Sequence, residues 1–208
     1  PTMDRVSYRI LLAIACAFGA DIHTLDVTQA FLNSPMEEVM YVRLPAGVLH
    51  SGKRGQVFQL RRSLYGTKQA PAAWQRNLAE SLSSMGVKPT VSDPSVFFRR
   101  EGVHFLLVGV YVDDLLMIST SPSMLRVFKR KMVERYKLRD QGCIDGDEYL
   151  GVKHRYDKEA RKLHISNDKM VEKVLKTHGL QNLTPADSPA VVQGDPDNSP
   201  PRKDHRMD

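Results

Sequence analysis

Cysteine is nearly absent: Cys16 and Cys143 are the only two among 208 residues. With no C-x-x-C and no paired spacing, they frame neither a disulfide scaffold nor a zinc site, and both thiols are expected to pack as small apolar groups in a reducing compartment. The seven histidines form no H-x-x-x-H and no H-E-x-x-H, so His154 and His164 read as strand residues rather than ligands. There is no G-x-S-x-G elbow for a hydrolase, and Ser51-Gly52-Lys53-Arg54-Gly55 lacks the spacing of a phosphate-binding P-loop. The apolar stretches Ile10 to Phe18 and Phe105 to Val112 are too short to span a bilayer, and no basic-then-apolar leader opens the chain. The expectation is a protein neither secreted nor membrane-inserted, in which Asn182-Leu183-Thr184 is a chance sequon. Repeats at solenoid periods are missing as well.

What is present is a core-forming share of hydrophobic residues, 41%, and a formal net charge of +6. The first is enough for one sizeable core, and the second suits a polyanionic partner. The charge is unevenly spread. Lys53, Arg54, Arg61, Arg62, Lys68 and Arg76 follow one another with no acidic residue between them, a one-sign field able to hold phosphates. A second basic run, Arg126 to Arg139, is broken by Glu134 alone, and about half of it reads as the solvated face of a helix.

Apolar residues at Val6, Ile10, Leu11, Ile14, Ala15 and Phe18 predict a core helix over Arg5 to Ala20 with one buried stripe. Thr24 to Val27 reads as a strand that places Asp26 near its end, before a polar turn at Asn33-Ser34-Pro35. Val39 to Leu44 and Gln56 to Leu60 are expected strands joined through the loop Gly47 to Gly55. Pro71 starts and Gly86 stops a helix carrying Trp74, Leu78, Leu82 and Met85. Val96 to Phe98 and Val103 to Ser119 are the most strand-like segments, with turns at Arg99 to Gly102 and at Asp113-Asp114, the second making a hairpin. Ser121-Pro122 cap a helix with Leu125, Phe128, Met132 and Tyr136 on one side. Short strands at Tyr149 to His154 and Lys162 to Ile165 precede a helix from Asp168 to about Gly179. The expected organisation is an α+β unit over 1–184, an antiparallel sheet covered by helices, then a disordered Pro- and Asp-rich tail or linker over 185–208.

Chemistry concentrates at Tyr111-Val112-Asp113-Asp114, where two carboxylates stand between apolar runs at the tip of a buried hairpin. Asp residues are common in turns for their own hydrogen-bonding reasons. Here, though, a third carboxylate, Asp26, also ends an apolar strand, and a sheet pairing that strand with the hairpin would bring all three to one edge. Three hard oxygen ligands suit Mg²⁺. Nucleotidyl transfer needs such a set, because an attacking hydroxyl and a leaving pyrophosphate are served by two metals in one in-line displacement. Lys68, ahead of the Pro71 helix, could meet the phosphates of a nucleotide, or simply be a solvated lysine.

Leu25-Asp26-Val27-Thr28-Gln29-Ala30-Phe31-Leu32-Asn33 resembles the first catalytic motif of Ty1/copia reverse transcriptases. Ser63 to Trp74 (SLYGTKQAPAAW) is similar to the family's nucleotide and template block, Tyr111 to Asp114 to its catalytic hairpin, and Tyr149-Leu150-Gly151-Val152 to a later palm motif. Ile165 to Leu180 looks like its first thumb-like helix. These four ordered motifs and the final helix cover most of residues 5 to 184. Departures are Thr67, where a bulky apolar residue is usual, and a slightly longer loop at Gly142 to Glu148.

The resemblance implies an α+β polymerase palm with partial fingers and the start of a thumb or connection. Asp26, Asp113 and Asp114 would be catalytic and, with Val27, hold two Mg²⁺ ions, for which Mn²⁺ could substitute. Phe31 would lie under the nucleotide sugar and exclude a 2′ hydroxyl, although an isolated Phe is more often ordinary core. Tyr65, Gly66, Lys68 and Gln69 would wall the base pair, while Arg61, Arg62, Arg76 and Tyr111 would touch nucleic acid. Trp74 is expected to pack its helix rather than stack a base. Implied partners are an RNA or DNA primer-template, dNTPs and other parts of a Pol polyprotein such as integrase and ribonuclease H, with no membrane partner. The implied location is a cytoplasmic virus-like particle with a nuclear stage. By the same comparison the chain begins after the family's fingers strands and ends before a ribonuclease H domain. Two functions therefore stand side by side: an RNA-directed DNA polymerase, and a catalytically inactive fragment that binds nucleic acid.

Overall fold

In the computed structural model, which describes residues 2–43 and 57–181, the apolar runs on either side of Asp113-Asp114 become neighbouring strands, β6 (His104–Tyr111) and β7 (Asp114–Ser119). Residues 106–110 of the first and 115–119 of the second are buried without a break, because the sheet is covered on two faces and continuous apolar runs replace alternation. Around them lie β1 (Asp21–Val27), β4 (Lys88–Pro89), β5 (Val96–Glu101) and β8 (Leu138–Cys143), in the order β4-β5-β6-β7-β1-β8. Every neighbouring pair is antiparallel. The chain is thus α+β, as expected. Strand β8 was not anticipated, since its polar sequence LRDQGC hides an edge strand, paired with β1 alone among the described residues.

One face of this sheet is covered by α2 (Ala70–Ser84) and α3 (Pro122–Arg135). Trp74, Leu78, Leu82, Leu125, Phe128 and Met132 meet Leu25, Val27, Leu115 and Met117 there, which bears out the helical spacing. Both helices start where proline allows, and the Ser121 hydroxyl accepts from the Met124 amide as an N-cap. The other face is covered by α1 (Arg5–Phe18) and a small sheet of β9 (Glu148–Tyr149), β10 (Val152–Asp157) and β11 (Lys162–Ser166), in the order β11-β10-β9. His154 is fully buried in β10, its ring hydrogen-bonded to the Tyr8 hydroxyl, as befits a strand residue.

The orientation of α1 corrects the expected stripe. Leu11, Leu12 and Ala15 are buried, whereas Val6, Ile10 and Phe18 are 63%, 53% and 62% exposed. Apolar residues occur on more than one side of this helix, so periodicity alone could not choose which turns inward. Tertiary packing chooses. Gly109 in β6 lacks the Cβ that would collide with Met3 and come within 2.9 Å of Leu11 Cδ1, so the N-terminal segment and the Leu11 side of α1 settle onto the strand there.

Outside the main sheet, β2 (Tyr41–Arg43) and β3 (Val57–Gln59) pair as a two-stranded ribbon. The expected loop Gly47 to Gly55, with Lys53 and Arg54, lies outside the described residues, as does the tail from Pro185. The chain divides into two compact units, Pro1–Asn167 and Asp168–Asp208. In the second, α4 (Asp168–Thr177) buries no residue and exposes Met170, Val171 and Val174. Among the described residues, no helix is long and apolar enough to cross a membrane.

Candidate active site

Strand register does most of the assembly. Tyr111 at the end of β6 pairs with Asp114 at the start of β7, leaving Val112 and Asp113 as the two turn residues. In the adjoining ladder Asp26 of β1 stands directly opposite Asp114, and the Val27 amide donates to the Asp113 carbonyl at 2.9 Å. Asp26, Asp113 and Asp114 therefore gather at one end of three adjacent strands, as the expected pairing requires. Paired residues of an antiparallel ladder project to the same face, so Asp26, Asp114 and Tyr111 share one side of the sheet.

The electrostatics follow from that crowding. Asp114 is half-buried, and its pKa rises from 3.8 to about 6, through burial first and then through the Asp113 and Asp26 carboxylates. A cation would relieve this repulsion. The oxygen-only donor set fits a hard ion such as Mg²⁺, with neither imidazole nor thiolate to favour zinc. Among the described residues, however, no three acidic, His or Cys side chains converge into a ready-made cage. The Val27 side chain is core, so any role it has at a metal falls to its main-chain carbonyl.

Residues expected around a nucleotide are partly brought together. Phe31, in the short 3₁₀ turn Ala30–Asn33, places its ring 4.6 Å from that of Tyr65 while also packing on the main core. Gly66 takes φ +90°, a conformation that favours glycine, and Lys68 is exposed in the turn that leads into α2. Gln69 donates to Glu38 at 2.8 Å. Of the residues expected on nucleic acid, Arg61 is exposed and Tyr111 is 40% exposed beside the hairpin tip. Arg62 donates to the Asn33 carbonyl at 3.0 Å, and Arg76 pairs with Glu37 at 2.6 Å. The basic stretch is thus one-signed in sequence only, because Glu37 and Glu38 return to it in space.

A sequence model of the family described as reverse transcriptase (RNA-dependent DNA polymerase) matches residues 1–192. This chain belongs to that family. It is similar to the retrovirus-related Pol polyprotein from transposon TNT 1-94 of Nicotiana tabacum, 32% identical over 190 residues, which are 91% of this chain and 14% of that protein. The transposon RE1 polyprotein of Arabidopsis thaliana is 29% identical over 189 residues, 91% of this chain and 13% of its own length. A Ty5-1 transposon protein of Saccharomyces cerevisiae is 33% identical over 128 residues, 62% of this chain and 41% of that protein. The chain spans only a small fraction of the two plant polyproteins.

Within this reverse transcriptase domain, two features beside the hairpin escaped sequence reasoning. Trp74, assigned to packing alone, also donates its indole N–H to the Val112 carbonyl at 2.6 Å. Arg5, Tyr8 and Arg9 of α1 line a cleft of about 340 Å³ with Tyr111 and Leu150. Arg5 and Arg9 are four apart, and that basic i, i+4 pair was the available signal; nothing in the sequence announces the Trp74 bond.

Proposed function

We propose that this chain is the palm, with part of the fingers, of an RNA-directed DNA polymerase from a Ty1/copia-type retrotransposon. The observation that carries this reading is the register that sets Asp26 against Asp114 with Asp113 in the adjoining turn, in a chain of the reverse transcriptase family. Asp26, Asp113 and Asp114, with the Val27 carbonyl, would hold two Mg²⁺ ions, or Mn²⁺ in their place. When bound, the ions would activate the primer 3′ hydroxyl and neutralise the departing pyrophosphate. The Phe31 ring, steadied by Tyr65, would press on the sugar and leave no room for a 2′ hydroxyl. Lys68 would meet the triphosphate as a point charge, with Gly66 and Gln69 close to the base pair. Arg61 and Tyr111 are exposed and would meet primer-template, whereas Arg62 and Arg76 would first exchange the Asn33 carbonyl and Glu37 for phosphate.

The relatives' polyprotein nature supports a chain that works alongside other Pol segments; on our reading these would include integrase and ribonuclease H, and the setting would be a cytoplasmic particle with a nuclear stage. Primer extension on poly(rA)/oligo(dT) with Mg²⁺ or Mn²⁺, beside Asp113→Asn, tests the polymerase. Extension by the unmodified chain alone is expected. Retained, Mg²⁺-independent primer-template binding without extension would instead identify an inactive nucleic-acid-binding fragment. Replacing dGTP by GTP on a C-containing template tests the gate, with rejection of GTP expected.

A further inference from the structure

We propose that Trp74 is a positioning residue for nucleotidyl transfer: its indole N–H holds the tip of the carboxylate hairpin in place from α2. The proposal rests on the polymerase reading above.

The hairpin tip needs outside support. Val112 and Asp113 are the turn residues, and Val112 sits at φ +57°, in the left-handed region that β-branched residues rarely enter. Such a conformation persists only where the surroundings hold it. Two donors do so here, each from a different element. The Val27 amide of β1 takes the Asp113 carbonyl at 2.9 Å, and the Trp74 indole of α2 takes the Val112 carbonyl at 2.6 Å. Consecutive turn carbonyls are thereby pinned from two sides, which fixes the direction in which Asp113 leaves the backbone.

Packing on the α2 side could not do this alone. A cavity of about 220 Å³ lies there, lined by Phe31, Leu78, Phe97 and Val112 together with Trp74 itself. Across that under-filled space the Trp74 bond is a directional tie, and loss of it leaves the tip room to move. The indole is held in turn: it is 2% exposed, and the Tyr136 ring meets it edge-on at 5.4 Å. The Tyr136 hydroxyl bonds Asn77 Oδ1 at 2.7 Å, one turn further along α2. Because α2 begins directly after Lys68 and Gln69, the same rigid element links the nucleotide side of the site to the metal side. The rival role, a buried tryptophan merely satisfying its own N–H, predicts a loss of stability and nothing more.

Trp74 is the sole tryptophan, so biosynthetic replacement of tryptophan by 3-benzothienylalanine removes this one N–H and keeps the ring shape. The full chain carrying that analogue, Trp74→Phe, and the packing control Leu78→Ala would be compared in primer extension and in hydrogen exchange at the amides of Tyr111 to Asp114. The N–H-deleted forms are expected to lose kcat on the order of 10²-fold, with dNTP KM little changed. They should need more Mg²⁺ for half-maximal rate and recover part of the loss in Mn²⁺. Their hairpin amides should exchange faster than those of Leu78→Ala at matched stability. Kinetics and exchange that merely track Leu78→Ala would overturn the proposal. If the unmodified chain extends no primer, the polymerase reading fails; equal hairpin exchange in all variants would then overturn the tie itself, and faster exchange without the N–H would uphold it.

Discussion

The carboxylate hairpin and the Tyr65 to Gln69 turn both carry residues expected around one nucleotide, yet the fold holds them very differently. The hairpin is embedded between β5 and β1, with ladder bonds on both sides and two turn carbonyls pinned from outside. The turn is exposed at Tyr65, Gly66 and Lys68, and what shapes it is local: the Thr67 amide and hydroxyl both donate to the Leu64 carbonyl, at 3.1 and 2.8 Å. On the proposed reading, metal chemistry would tolerate little misplacement, so its ligands would belong at strand ends and in a pinned turn, whereas phosphate capture by a lysine would work from a mobile side chain. The hairpin should therefore respond to substitution in rate, and the turn in substrate affinity.

The largest expected effect is Asp113→Asn, which should abolish extension, a loss on the order of 10³-fold or more, while the melting temperature holds. A loss of rate matched by unfolding would break the comparison. Next is Gly109→Ala. The added Cβ meets Met3 and approaches Leu11 Cδ1 to 2.9 Å, so it should destabilise the fold by about 1–3 kcal/mol in urea denaturation. The same substitution should weaken extension, because β6 carries the hairpin.

The pH response is a third test. Unfolded Asp114 should titrate near 3.8 and the folded residue near 6, so between those values the native chain binds the extra proton. Stability of the metal-free protein is thus expected to fall as pH rises from about 4 to 6 and then level off. Mg²⁺ should raise the melting temperature more at pH 7 than at pH 5, and Asp114→Asn should erase both effects. The smallest structural effect belongs to Lys68→Ala, with stability unchanged within about 0.5 kcal/mol and dNTP KM raised roughly tenfold. A fall in kcat at constant KM would place Lys68 with the hairpin instead.

Much of this was legible beforehand, for local reasons. Helices α2 and α3 announced themselves through period and an initial proline, and β6 and β7 through apolar runs interrupted by two aspartates. The α1 stripe misled because the helix is apolar on several sides, and its rotation depends on Gly109, far away in sequence. Strand β8 was hidden because edge strands can be polar. The neutralising of Arg76 by Glu37 was equally invisible, since the two lie 39 residues apart.

By itself, the sequence determined most of the helices and strands and which carboxylates terminate apolar strands, and its ordered motifs carried the resemblance to a family. Those properties depend on side-chain period and residue type, which act over a few residues. Only the tertiary structure decided that Asp26 faces Asp114, that Glu37 and Glu38 temper the basic stretch, and that Trp74 holds the hairpin tip. Each of these depends on register or on a side chain reaching across the fold, and so on the packing of elements that no local pattern encodes.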